Sequence, residues 1–332
     1  MAKFCSMKYG LYIRARFRDT FPGYRFLSYP EIRNLALLAE EYGFDSVHVD
    51  DHLIGFGPLW KEPYFETMVL VSAIAAETTK VKIGNNVLAN SFRNPALMAR
   101  IISSVDNISN GRALFWIGAG WYEEEYRAYG YAFPSAKQRV DELEESLAIF
   151  KKLFTEEVTN FEGKFWKLED CRNLPKPIQK PWPQIVIGAE KNRLTTIACR
   201  EADGINIPYG WAYGPPIGFD ALVERIGFIV SKLHKYYRNS KEFEISICND
   251  VILVNSKEEL DKIVSQMIEH FEKLNKKLTK EQILKDYFIG YVDDVKEKIK
   301  QIEEFGIKKM VIYLRGSSSI EDPVRLFHDG IM

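Results

Sequence analysis

Apolar runs of strand length alternate along the whole chain with segments whose apolar positions recur every three or four residues. That alternation predicts repeated βα units on a parallel sheet, because a strand covered on both faces reads as a continuous apolar run and its covering helix as a stripe. The first run, KYGLYI (8–13), predicts a strand. Ser28 and Glu31 then stand at capping-box spacing before a helix with Ile32, Leu35, Leu38, Ala39 and Tyr42 on its apolar face, closed by Gly43. DSVHV (45–49) predicts strand two, a helix follows over about 66–77, and VKIGNNV (81–87) predicts strand three. Asn94-Pro95 opens the next helix, with Leu97, Ile101, Ile102, Val105 and Ile108 on one face and Gly111 beyond its end. ALFWIG (113–118) predicts strand four.

The same rhythm continues to the end of the chain. A long helix over about 136–154 leads into a hairpin in VTNFEGKFWKLE (158–169) and the proline-rich LPKPIQKPWPQ (174–184), which reads as an insertion or rim because proline suits neither helix interior nor central strand. IVIGA (185–189), GINI (204–207), ISICNDVILV (245–254) and KMVIYL (309–314) predict strands five to eight. Helices are predicted near 191–201, 219–237 and 293–305, a charged helical stretch over 256–285, and a short helix near 324–328. Eight strands with intervening helices make a (β/α)8 TIM barrel the expected α/β fold, over one domain of residues 1–332, with insertions near 155–184 and 256–285. An open doubly wound sheet is the alternative, but no linker divides the chain.

Composition narrows the function classes. With 45 basic and 46 acidic residues in 332, the chain carries no electrostatic footprint for nucleic acid or an anionic membrane, so a small-molecule substrate is the expected partner. No run approaches the ~18 apolar residues of a membrane span, and MAKFCSMKYG lacks a signal-peptide core. Four cysteines stand far apart without a Cys-x-x-Cys pair, which predicts neither a zinc site nor a disulfide framework and suits a reduced, cytoplasmic protein.

In a TIM barrel the active site lies at the carboxyl ends of the strands, so the residues just after each strand carry the chemistry. After strand two, HVDDHL places His48, Asp50 and His52 on one face and Asp51 on the other if the strand persists. Those types suit a metal, an acid/base pair or a cofactor contact; equally they could cap the next helix or pair with barrel neighbours. No second His and Asp cluster follows later strands, so no metal is expected. After strand three, GNNVLANSFRNP feeds a helix start, and its Arg93 could meet an anion or solvent. After strand four, GAGWYEEEY begins like a dinucleotide fingerprint, but the position for the third glycine holds Glu123, inside a Glu123-Glu124-Glu125 run that would repel a phosphate unless it turns away. After strand five, Gly188 and Ala189 precede a helix amino terminus, which is either a phosphate site or a plain βα turn. Trp121, Tyr122, Phe56 and Trp60 add aromatic surface or packing.

The ordered set EEYGFDSVHVDDHL, the long segment from ETMVLVSAIAAETTKVKIGNN through NSFRNPALMARIISSVDNISNGR, GAGWYEEEYRAYGYAFP and LPKPIQKPWPQIVIGA resembles the bacterial luciferase-like family of flavin- and deazaflavin-dependent oxidoreductases, strongly over about 7–207. The stretches NSFRNP and GAGW are most similar to the branch that uses coenzyme F-420, an 8-hydroxy-5-deazaflavin; the FMN-dependent branch shares much of the pattern. The resemblance implies hydride transfer to or from the deazaflavin, with His52 as the acid/base residue and Asp51 beside the reactive ring; an FMN-dependent monooxygenase and a non-catalytic flavin-binding relative are the alternatives. It implies a cis peptide at Asn86-Val87 against one ring face, with Ala89 in the same cofactor-binding loop. Gly118, Ala119, Gly120, Trp121 and Tyr122 would follow the cofactor's ribityl and phosphate portion, and Gly188 and Ala189 would form the phosphate loop. Asn85 and Asn86 depart from the Thr or Ser and apolar residue usual there. The family also implies a homodimer built on barrel helices.

Overall fold

The computed structural model describes residues 7–14, 16–17, 25–55, 63–210, 217–273, 275–315 and 319–332. Phe56 and Trp60 lie outside these residues. In chain order the elements are β1 (Lys8–Tyr12), β2 (Arg16–Phe17), β3 (Arg25–Phe26), α1 (Tyr29–Glu41), β4 (Ser46–Val49), α2 (Thr67–Glu77), β5 (Lys82–Asn85), β6 (Leu88–Ala89), α3 (Pro95–Ile108), β7 (Phe115–Gly118), α4 (Glu123–Ala128) and α5 (Ala136–Thr155). There follow β8 (Thr159–Glu162), β9 (Lys167–Cys171), β10 (Ile185–Gly188), α6 (Asn192–Glu201), β11 (Gly204–Gly210), α7 (Phe219–Lys235), β12 (Glu244–Leu253), α8 (Lys257–Lys273), α9 (Lys280–Asp286), β13 (Phe288–Gly290), α10 (Val292–Glu304), β14 (Lys309–Arg315) and α11 (Asp322–Ile331).

Local sequence sets most of these boundaries. The backbone N–H and hydroxyl of Ser28 both donate to the Glu31 carboxylate, at 2.9 and 2.8 Å, so the expected capping box opens α1. Asn94 caps α3 through its Oδ1, which accepts the Ala96 N–H at 2.9 Å, with Pro95 in the first turn where its missing N–H costs nothing. Ser135 caps α5, accepting the Gln138 N–H. The charged stretch expected as one helical segment is two helices, because Thr279 and Gln282 form a capping box that starts α9 afresh. Periodicity predicts no strand at Phe288–Gly290, yet β13 pairs in parallel with β12, Val251 opposite Phe288.

The chain forms two compact units, one of residues 1–45 with 206–332 and the other of residues 46–205. In the first, β14 is flanked in parallel by β1 and β12, with Gly10 and Cys248 both opposite Val311. Tyr9 of β1 packs edge-on against Phe327 of α11 at 5.1 Å, fastening a helix to that sheet. In the second, β4 pairs with β5, a bridge from Ile83 to Ala113 connects β5 to the segment entering β7, and β7 pairs with β10 and β6. Phe115 of β7 meets Phe150 and Phe154 of α5 edge-on, so this strand's residues 115 and 117 face the helix layer and Trp116 and Gly118 the opposite face.

Both insertion segments of the second unit are anchored to helices. The Glu145 carboxylate of α5 accepts the N–H groups of Lys164, Phe165 and Trp166, which holds the turn of the β8–β9 hairpin. The proline-rich segment lies along α3: Asn107 donates to the Lys176 carbonyl, and Asp106 accepts from the backbone and side chain of Gln179.

Candidate active site at the strand ends of the second unit

The residues expected to carry chemistry converge at the carboxyl ends of β4, β5, β7 and β10, all within residues 46–205. Strand β4 ends at Val49, so the alternation that would place His48, Asp50 and His52 on one face does not continue. His48 is buried, with Nε2 2.9 Å from Ser46 Oγ and Nδ1 donating to the Asn85 carbonyl at 3.3 Å. Asp50 accepts the Tyr64 hydroxyl at 2.8 Å. These two residues serve their neighbours, as the plainer of the sequence readings has it. Among the described residues no group of three or more His, Cys, Asp or Glu side chains could hold a metal ion.

Asp51 and His52 diverge in role. The Asp51 carboxylate, 1 % exposed, accepts both Nη atoms of Arg93 at 2.8 and 3.0 Å and the Ala89 N–H at 2.8 Å. Arg93 reaches on to Glu66, whose other oxygen caps α2 through the Val69 N–H. Burial works against the Arg93 charge, but Asp51 and Glu66 together more than offset it, and the pKa of Arg93 is raised above its ordinary value. Asp51 therefore fixes the Ala89 segment, and Arg93, which the sequence left between an anion contact and solvent, is its half-buried partner.

His52 points Nδ1 at both Glu125 carboxylate oxygens, 3.1 Å from each, and Glu125 also accepts the Leu53 N–H at 3.0 Å. Glu125 belongs to the Glu123-Glu124-Glu125 run, whose charge would repel a phosphate unless it turned away. The three acids open α4, where negative charge suits the helix amino terminus, and the turn of the helix carries Glu125 inward until it is 2 % exposed. A carboxylate on Nδ1–H fixes the ring orientation and makes Nε2 the nitrogen that exchanges a proton. Trp121, 65 % exposed, stands edge-on to His52 with ring centroids 6.0 Å apart, and Tyr64 does so at 6.4 Å.

The Asn86-Val87 peptide is cis, as the resemblance implies. Val87 lies across β7 and β10, so a Cβ on Gly118 would come within 2.9 Å of Val87 Cγ2, and one on Gly188 within 2.8 Å. Glycine is needed at both positions to seat Val87, a reason that needs no phosphate. Asn86 and Val87 remain half-buried, as do Ala119, Gly120 and Tyr122, while Ala189 is buried. Beyond Ala189, α6 begins at Asn192 with no side chain capping it, unlike α2, α3 and α5 in the same unit, and an uncapped helix amino terminus offers N–H groups to an anion. Under the loop after β7, Ala89, Phe92 and Tyr126 form a small core with Leu53 and Phe133 packed on it. Burial pushes the Tyr126 hydroxyl up to about 12, with Glu125 adding to the effect.

The family described as luciferase-like monooxygenase matches residues 7–309. An "F420-dependent glucose-6-phosphate dehydrogenase" of Amycolatopsis mediterranei is 33% identical over 176 residues, 51% of this chain and 50% of the relative. An "FMNH(2)-dependent dimethylsulfone monooxygenase" of Pseudomonas putida is 28% identical over 172 residues, 52% of this chain and 46% of the relative. The chain thus spans about half the length of the first curated relatives it matches. A solved "F420-dependent secondary alcohol dehydrogenase in complex with an F420-acetone adduct" superposes with a TM-score of 0.78 at 17% identity, covering 98% of each chain. That likeness shows the fold, the (β/α)8 barrel called for by the strand count. No helix among the described residues is long and apolar enough to cross a membrane.

Proposed function

Because the chain belongs to the luciferase-like monooxygenase family, we propose that it is a cytoplasmic oxidoreductase that works with coenzyme F-420 and a small organic substrate. The observation that carries this reading is the His52–Glu125 pair, set at a strand end beside the cis Asn86-Val87 peptide and an exposed tryptophan. The residues present fit such a cofactor: a half-buried Asn86-Val87 surface for a flat ring, the Gly118–Tyr122 loop for a polar chain, and the uncapped start of α6 behind Gly188 and Ala189 for a phosphate. When bound, the deazaflavin supplies a hydride donor or acceptor at its C5.

The chain's own residues do the rest. His52, held at Nδ1 by Glu125, accepts or returns a substrate proton at Nε2 as the hydride moves, which keeps charge from building on the substrate oxygen. Trp121 and Tyr64 stand edge-on to the imidazole. Asp51 acts through Ala89, holding the loop that contains the cis peptide.

The relatives' names divide between F-420 and FMN, so the test is direct competition. Titrating the purified chain with oxidised F-420 and with FMN, each followed in its own absorption band, is expected to give tighter binding of F-420. A tenfold preference for FMN, ~1.4 kcal/mol, would move the chain to the flavin monooxygenase branch, and oxygen consumption with reduced FMN would then be measured.

The protein is also expected to be a homodimer. Helix α2 is apolar nearly all round and leaves Val69 exposed, while α3, packed beside it, exposes Leu97 and Ile108. Such a surface is covered in stable oligomers. Light scattering at micromolar concentration is expected to give twice the chain mass, and Leu97→Glu to halve it; a monomeric wild type would reject the assignment.

A further inference from the structure

Arg139, in the first turn of α5, is almost fully buried, and among the described residues it meets two carbonyls and a ring. Its Nε donates to the Gly120 carbonyl at 3.3 Å, and Nη1 donates to the Pro134 carbonyl. Its guanidinium lies 3.9 Å from the centroid of the Phe133 ring. Phe133 in turn meets Tyr126 edge-on, with centroids 4.9 Å apart and planes at 70°. Tyr126 then returns to the starting point, because its hydroxyl would be 1.8 Å from a Cβ built on Gly120, so only glycine fits above it. Gly120 has φ of +74°, a conformation that suits glycine and needs holding. The contacts thus form a closed circuit, Arg139 to Phe133 to Tyr126 to Gly120 and back to Arg139. Burying a guanidinium to hold loop carbonyls costs desolvation, which this arrangement offsets with hydrogen bonds and the ring face.

We infer that Arg139 is a positioning residue for the loop after β7, setting the course of Gly120–Tyr122 and through it the affinity for the cofactor's polar chain; the inference rests on the cofactor reading above. The geometry supports a role beyond packing. The loop carries Trp121, which faces His52, and Tyr126 shares its small core with Ala89, the residue that Asp51 holds. A change at Arg139 therefore reaches the cofactor surface by the Gly120 carbonyl without touching His52 or Asp51.

The test compares wild type, Arg139→Met and Arg139→Lys by titration with F-420 and with FMN, with the melting temperature of each free protein measured alongside. Methionine keeps an apolar chain over Phe133 and removes every donor; lysine keeps the charge and can still reach one carbonyl. The expected result is about tenfold weaker binding of the preferred cofactor by Arg139→Met, about threefold by Arg139→Lys, and melting temperatures of the two variants close to each other. Binding by folded Arg139→Met within twofold of wild type overturns the inference while leaving the cofactor reading intact. So does a loss of affinity that simply follows the melting temperature across the three proteins. Should Arg139→Met not fold, Arg139→Lys decides, and wild-type affinity in it overturns the inference. A wild-type chain that binds neither F-420 nor FMN removes both the inference and the reading beneath it.

Discussion

His52→Ala is expected to slow single-turnover hydride transfer by about 10² to 10⁴ while changing the cofactor dissociation constant little. The imidazole is partly exposed, and its Nδ1 is committed to Glu125, so the group facing a substrate is Nε2. Removing the ring removes the proton carrier but leaves the Asn86-Val87 surface and the start of α6, where cofactor contacts are proposed. The variant does leave Glu125 buried with only the Leu53 N–H of its two partners. Some stability is therefore lost, and the melting temperature has to be measured beside the rate. Glu125→Gln separates orientation from proton transfer: an amide can still hold the ring through its oxygen but cannot compensate an imidazolium, so an intermediate loss of rate is expected. An unchanged rate in folded, cofactor-saturated His52→Ala would retire His52 as the proton carrier. Equal loss of rate and cofactor affinity would instead make it a binding residue.

Asp51→Ala is expected to lower the unfolding free energy by about 3 to 5 kcal/mol, the cost of stranding one member of a buried ion pair. Arg93 would keep only Glu66, whose side chain is 43% exposed and so stabilises a charge weakly, and the Ala89 N–H would lose its acceptor. Burial lowers the Arg93 pKa while Asp51 and, more weakly, Glu66 raise it, so removing Asp51 leaves burial opposed by Glu66 alone. Asp51→Asn keeps an oxygen for Ala89 and should lose less. Urea unfolding of the three proteins gives the comparison. A loss below about 1 kcal/mol in Asp51→Ala would mean that Arg93 escapes to solvent; if cofactor binding collapsed with stability unchanged, Asp51 would be a direct ligand and not the anchor of the Ala89 loop.

The two variants separate what could be read along the chain from what could not. Periodicity alone located the strands from KYGLYI to KMVIYL and most helices between them, because burying a strand or a helix face imposes its period on consecutive residues. Capping is also local, so the starts of α1 and α3 were legible as Ser28 with Glu31 and Asn94 with Pro95. Resemblance in ordered motifs, not periodicity, pointed to His52 and to the cis bond at Asn86-Val87. Short elements without a full period escaped: β13 is three residues long and exists because β12 offers it an edge, while α4 lay hidden in a run of acids that reads as a solvated face.

Partner choice at the site was decided by the tertiary structure. His52 and Glu125 are 73 positions apart, Asp51 and Arg93 42, and a carboxylate has no local signature that says which cation it will meet. The two neighbours Asp51 and His52, just past the end of β4, take different partners, Arg93 from before α3 and Glu125 from α4. The glycines of β7 and β10 show the same division. Their identities stand in the sequence, but the reason for them, a valine brought over both strands by a loop from β5, is set only when three strands lie side by side. Local sequence determines which residues reach a strand end, since backbone periodicity and capping act over a few residues; packing between distant segments determines what each side chain does there.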